Sequence, residues 1–210
     1  MVSAVDCVAC GVNSCRNGKS NQSFNNCPMI IAEDILEEAS RLYQDEYKDM
    51  AYAATLVAAR GHMKWSRIEN TMEFAKLMKY KKLGIASCAG LARESAILER
   101  ILRANGFQVV SAICKTGGIP VEHLGIKDEE KSRPGEFHAM CNPLAQAALL
   151  DSAGSELNIM MGLCVGHDAL FCKASKAPVT TLVAKDGVLG HNPVAAIYNH
   201  ESYYKRLYHK

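Results

Sequence analysis

Residues 83–114 read LGIASCAGLARESAILERILRANGFQVVSAIC, and the fold turns on this stretch. LGIASC is a short apolar run that closes on small residues. AGLARESAILERILRANG is amphipathic at helical spacing and stops at Asn105-Gly106, a helix-ending pair. FQVVSAIC is a second run, rich in β-branched residues. Strand, helix and strand within this length make one βαβ unit, so the two strands are expected to be parallel and joined by a right-handed crossover. An α/β sheet follows.

Downstream, a polar loop with Gly117-Gly118, Pro120 and the charged residues 128–131 leads to Asn142-Pro143, an N-cap followed by proline at the first helical position. NPLAQAALLDSAG is therefore predicted as a helix, ELNIMMGLC as a third strand, HDALFCKAS as a short helix and APVTTLVAKDG as a fourth strand bounded by Pro178 and Gly187. A second Asn-Pro, Asn192-Pro193, starts a last helix towards Tyr208. Upstream, Ile31, Ile35, Leu36, Ala39 and Leu42 recur at three- and four-residue spacing, and AYAATLVAARG extends or restarts that pattern to Gly61. Ser66 and Glu69 form an S-x-x-E capping box ahead of a further helix that places Ile68, Met72, Ala75 and Met78 on one face.

The chain has 210 residues, 49% apolar, 22% charged and 7% aromatic, with a formal net charge of +2, which is globular composition for one main domain. No basic stripe suggests nucleic acid, and no apolar run approaches the roughly 20 residues of a membrane span. The first residues, MVSAVDCVACGVNSC, lack a basic stretch followed by an apolar one, so a reducing, cytoplasmic location is expected. Nine cysteines in such a setting are more often metal ligands or reactive thiols than structural disulfides.

Four of them form the pattern Cys7-x2-Cys10-Gly-x3-Cys15-x11-Cys27-Pro28 in a segment rich in Gly, Asn and Ser that cannot bury a core by itself. Two cysteines separated by two residues can turn both sulfurs to one ion. Two more complete the four thiolates of a closed zinc site or a cubane iron–sulfur cluster, and the bound metal would supply the folding energy the segment lacks. The plain alternative is four surface thiols in a loose leader. The pattern resembles the four-cysteine iron–sulfur modules of corrinoid and electron-transfer proteins, with a shorter final spacing.

A second group emerges once the sheet is drawn. Cys88, Cys114 and Cys164 end three successive strands, and Cys141 directly precedes the Asn142-Pro143 helix start. The carboxyl ends of parallel strands border the crevice in which ligands bind. Cys88, Cys114, Cys141 and Cys164 are thus candidates for a second metal or cluster, an arrangement similar in architecture to quinolinate synthase-like cluster enzymes; the competing reading is simple packing of buried thiols. Cys88 also lies five residues before Arg93 in CAGLAR, which resembles the cysteine-loop-arginine element of sulfurtransferases and related phosphatases, with fewer glycines and one residue less than the common phosphatase signature. His167, three residues after Cys164 in CVGHD, is a candidate fourth ligand or proton donor, or else a helix-start residue with one hydrogen bond. His138 and His191 are placed to enter the crevice, His62, His200 and His209 are expected to face solvent, and Cys172 reads as packing.

Taken together, CVACGVNSC, Asn26-Cys27-Pro28, LGIASCAGLARE, ICKTGGIP, MCNPLAQA, LCVGHDALF and GHNP resemble a family of uncharacterised prokaryotic proteins described as metal-binding through four amino-terminal cysteines. The resemblance covers nearly the whole chain and implies that Cys7, Cys10, Cys15 and Cys27 bind metal; it implies no reaction. The expected architecture is a cysteine-rich metal knuckle over residues 1–28, a helical segment over 29–82, and over 83–210 a four-stranded, mostly parallel Rossmann-like or flavodoxin-like three-layer sandwich. The expected function is binding of an iron–sulfur cluster, 4Fe-4S in type, or of zinc, with a redox or sulfur-handling site at the sheet edge that would serve a small-molecule or sulfur-containing substrate and a redox partner protein. The alternatives are a Cys88-dependent sulfurtransferase or phosphatase-like enzyme that uses Arg93 and His167, and a non-catalytic zinc-stabilised module for protein docking.

Overall fold

A computed structural model describes residues 5–19 and 26–208; His209, expected to face solvent, lies outside them. The chain divides into two compact units, Met1–Ala59 and Arg60–Lys210.

The first unit carries the amino-terminal cysteines and then α1 (Pro28–Ile31), α2 (Glu33–Gln44) and most of α3 (Lys48–Gly61). Pro28 starts α1, where its fixed φ and missing N–H cost nothing. Glu33 and Asp34 in the first turn of α2 and Arg41 in the last complement the helix dipole. The apolar spacing that runs on from α2 restarts at Lys48: residues 45–47 form a turn, and Asp45 leaves the helical region at φ −117° and ψ −96°.

The second unit opens with α4 (Arg67–Leu77), whose capping box forms as its spacing predicts: Glu69 N donates to Ser66 Oγ and Ser66 N to Glu69 Oε2. Strands β1 (Lys82–Ser87), β2 (Gln108–Ile113), β3 (Leu157–Met161) and β4 (Val179–Val183) follow, separated by α5 (Ala92–Ala104), α6 (Pro143–Ser152) and α7 (His167–Ala174). They form one sheet in the order β2-β1-β3-β4 with every pair parallel. Leu83, Ile85, Leu157 and Ile159 pack on one face with Ala75 of α4 and Leu98 and Leu102 of α5. Ala86, Ala112 and Met160 pack on the other with Ala147 and Leu150 of α6 and Phe171 of α7. Helices cover both faces, so this is the three-layer α/β sandwich expected from the sequence, with the flavodoxin-like strand order in which the winding reverses between β1 and β3.

One element and one residue depart from the sequence reading. The helix after Asn192-Pro193 is short, α8 (Val194–Tyr198), because Asn199 turns Nδ2 back to Ala195 O and ends it; a 3-10 turn, Lys205–Tyr208, follows later. Cys172 lies exposed on α7, where Phe171 supplies the packing. Among the described residues no helix is long and apolar enough to cross a membrane.

Candidate functional site

In the first unit Cys7 and Cys10 are joined by a tight turn in which Cys10 N donates to Cys7 O at 3.2 Å, held from below by Ala9 N donating to Asp6 Oδ1. Cys10 Sγ accepts a hydrogen bond from Asn13 N at 3.4 Å. Asn13 takes a left-handed conformation, φ 53°, and launches the 3-10 turn Ser14–Asn17 that carries Cys15. Cys27 stands at the start of α1. All four thiol-bearing residues line a single cavity of about 730 Å³, together with Asp6, Asn13 and Leu36.

In the second unit the strand-end cysteines fall at the carboxyl edge of the sheet. Cys88 and Cys114 directly follow β1 and β2, and Cys114 N donates to Ser87 O at 2.9 Å as the last rung between them. Cys164 lies three residues beyond β3, and its carbonyl caps α7 by accepting from His167 N and Asp168 N. The loop of residues 115–141 returns Cys141 to the same edge, where Asn142 N donates to Cys114 O at 2.7 Å. Asn142 then caps α6 through Oδ1, which accepts from Ala145 N.

Two consecutive amides are aimed at these sulfurs. Ala89 N donates to Cys114 Sγ at 3.3 Å and Gly90 N to Cys88 Sγ at 3.4 Å. Cys114 is buried; burial, opposed by the Ala89 amide and aided by the neighbouring Cys141 and Cys88, pushes its thiol up to about 11. Burial likewise raises the Cys164 thiol, as do Cys88 and Cys141, while Lys185 and Lys115 pull it the other way. Lys185 reaches over the first turn after β1: a Cβ on Gly90 would stand 3.1 Å from its Nζ and 3.8 Å from Cys88 Sγ. Beneath the edge, fully buried Gln146 donates Nε2 to Ser87 O at 3.1 Å and Ala112 O at 2.8 Å, tying the ends of β1 and β2 together.

The other sequence candidates fall into separate places. Arg93 is exposed on the first turn of α5 and engages no described side chain by hydrogen bond or ion pair. His167 begins α7, with Nδ1 buried and unpartnered among the described residues. His191 is a loop closer: its N donates to Asp186 O, and its Nδ1 accepts from Asp186 N. His138 gives its carbonyl to Val121 N, His200 bonds Tyr208, and His62 is exposed. Lys115 to Gly118 form a turn, with Gly118 N on Lys115 O. Lys185 and Gln146 are additions that spacing does not reveal, since neither belongs to a motif. Among the described residues no three His, Cys, Asp or Glu side chains are disposed to hold one ion together.

Fold and thiols together define a doubly wound α/β protein with two groups of free cysteines, one in each compact unit. Residues 27–182 match the model of a family described as proteins of unknown function, DUF1847, and the chain belongs to that family. It is also 43% identical over 201 residues to an uncharacterized protein of Methanocaldococcus jannaschii, a match that covers 96% of this chain and 97% of the other.

Proposed function

We propose that this is a metal-binding protein in which Cys7, Cys10, Cys15 and Cys27 hold an iron–sulfur cluster. The supporting observation is the shared cavity: the residues that carry the four thiols all line one volume of about 730 Å³. The Cys-x2-Cys-Gly-x3-Cys order followed by Cys27-Pro28, which resembles that of four-cysteine iron–sulfur modules, favours a cluster over one ion. The segment also has little apolar surface to bury, and a metal centre would supply the order it lacks. Such a cluster provides one-electron chemistry, and the partner implied is a redox protein that docks near this segment.

The test is anaerobic purification followed by iron, zinc and acid-labile sulfide analysis with a visible spectrum, on the wild type and on the Cys7→Ser, Cys10→Ser double variant. Iron and sulfide in equal amounts, with charge-transfer absorption lost in the variant, are the expected result. One zinc per chain, lost in the variant, would replace the cluster with a structural zinc site and favour a docking module. Metal content unchanged by the variant would remove these cysteines from the reading.

A further inference from the structure

Cys114 and Cys141 stand outside the metal proposal and are brought together from the two ends of one loop. Residues 115–141 leave β2 and return along a narrow neck: Val121 N donates to His138 O at 2.9 Å and Met140 N to Ile119 O at 2.7 Å. The Pro120–Ala139 bridge and Lys115 Nζ on Ala139 O, at 2.5 Å, lie in the same neck. With Asn142 N on Cys114 O at 2.7 Å, the backbone itself fixes residue 141 beside residue 114, and both side chains join the same apolar cluster.

The two thiols differ in access. Cys114 is 2% exposed, whereas Cys141 is half-buried and open to a small reactant. Cys141 also stands just ahead of the N-cap of α6, at the edge where the loop returns.

From this arrangement we infer that Cys114 and Cys141 form a redox-active dithiol that reduces a low-molecular-weight disulfide, with Cys141 as the attacking thiol and Cys114 as the resolving one. The Cys141 thiolate attacks one sulfur of R–S–S–R′, forms the mixed disulfide with R and expels R′S⁻. Cys114 then attacks the Cys141 sulfur, closes the Cys114–Cys141 bond and expels RS⁻. The protons of the two protein thiols end on RS⁻ and R′S⁻, and two electrons pass from the protein to the substrate. Ala89 N, already donating to Cys114 Sγ, stabilises that sulfur as it loses its proton. The closed bond staples the neck of the 115–141 loop to β2.

The full-length protein, purified anaerobically, is incubated with cystine, quenched in acid, alkylated and mapped as peptides before and after reduction. The expected result is a cross-link between the peptides carrying residues 114 and 141, loss of both from the alkylated set, and release of two cysteine molecules per cross-link formed. Cys172, exposed on α7, serves as the internal comparison and should keep an unresolved cysteine adduct. In Cys114→Ser the adduct on Cys141 should persist, and in Cys141→Ser residue 114 should stay fully alkylatable. A stable adduct on Cys141 in the wild type, or Cys114 joined to Cys88, overturns the inference. The wild-type map decides the matter even where a variant fails to fold, and its outcome is independent of the metal bound by Cys7 and Cys10.

Discussion

Gly84 shows how tightly single residues are fixed in the middle of β1. A Cβ there would stand 2.1 Å from Asn158 Oδ1 and 3.1 Å from Ser155 Cβ. Asn158 cannot retreat, because its Oδ1 accepts from Ser155 Oγ at 2.8 Å and its Nδ2 donates to Ser175 Oγ at 2.7 Å in a site 1% exposed. Gly84→Ala is expected to cost about 3 kcal/mol through overpacking and broken bonds, read as a lowered denaturant midpoint at unchanged slope. Gly90→Ala crowds the flexible end of Lys185 and meets Cys88 Sγ at ordinary contact distance, and should stay within about 0.5 kcal/mol of wild type; an equal loss in both variants would refute the argument. None of this is legible in LGIAS, since the residue that forbids a side chain at Gly84 comes from a strand 74 positions further on. Cys172 makes the same point in reverse: a cysteine in a short helix reads as core, but the turn of α7 gives that role to its neighbour Phe171.

At the scale of elements, the starts of β1 and β3 are joined by one carboxylate. Glu156 Oε2 accepts from Lys81 N at 2.6 Å and Lys82 N at 2.8 Å, and these amides, Lys82 first, hold its carboxyl below the usual range. In the window between the lowered folded value and the ordinary one, near pH 4, the unfolded chain binds more protons than the folded one. Stability from this contact is therefore present above that window and lost as pH falls through it. Glu156→Gln should flatten the decline of stability below about pH 4, measured by denaturant unfolding across the acid range, and equal slopes in the two proteins would rule the contact out as a source of acid sensitivity. Elements with local signals are legible in advance: the Ser66 capping box, the Asn142-Pro143 start of α6 and the Asn105-Gly106 stop of α5 all act within a turn of their own residues. The break between α2 and α3 and the early end of α8 are less so, because the first depends on the backbone conformation at Asp45 and the second on the Asn199 side chain bonding back to Ala195 O.

For the whole molecule, the sheet and both apolar clusters are built entirely from residues after Arg60. In Met1–Ala59 the buried apolar residues among those described are Ala32, Ala53 and Val57, too few to hold a fold of that length without a staple. A fragment of residues 60–210 is accordingly expected to fold alone, with a mixed α/β circular dichroism spectrum and one cooperative unfolding transition. A fragment that is unfolded or melts without cooperativity would show that the sheet depends on the first unit.

The sequence by itself determined the order and type of the elements around residues 83–114, the parallel α/β class and the positions of Cys88 and Cys114 at strand ends, because strand and helix periods, caps and βαβ length are local or nearly local properties. Only the tertiary structure decided that the strands run β2-β1-β3-β4, that the loop of residues 115–141 carries Cys141 back onto Cys114, and that Lys185 and Gln146 belong to the same edge. Those facts depend on which distant surfaces bury one another and on which backbone amides find carbonyls across a loop, and neither is encoded in the spacing of neighbouring residues.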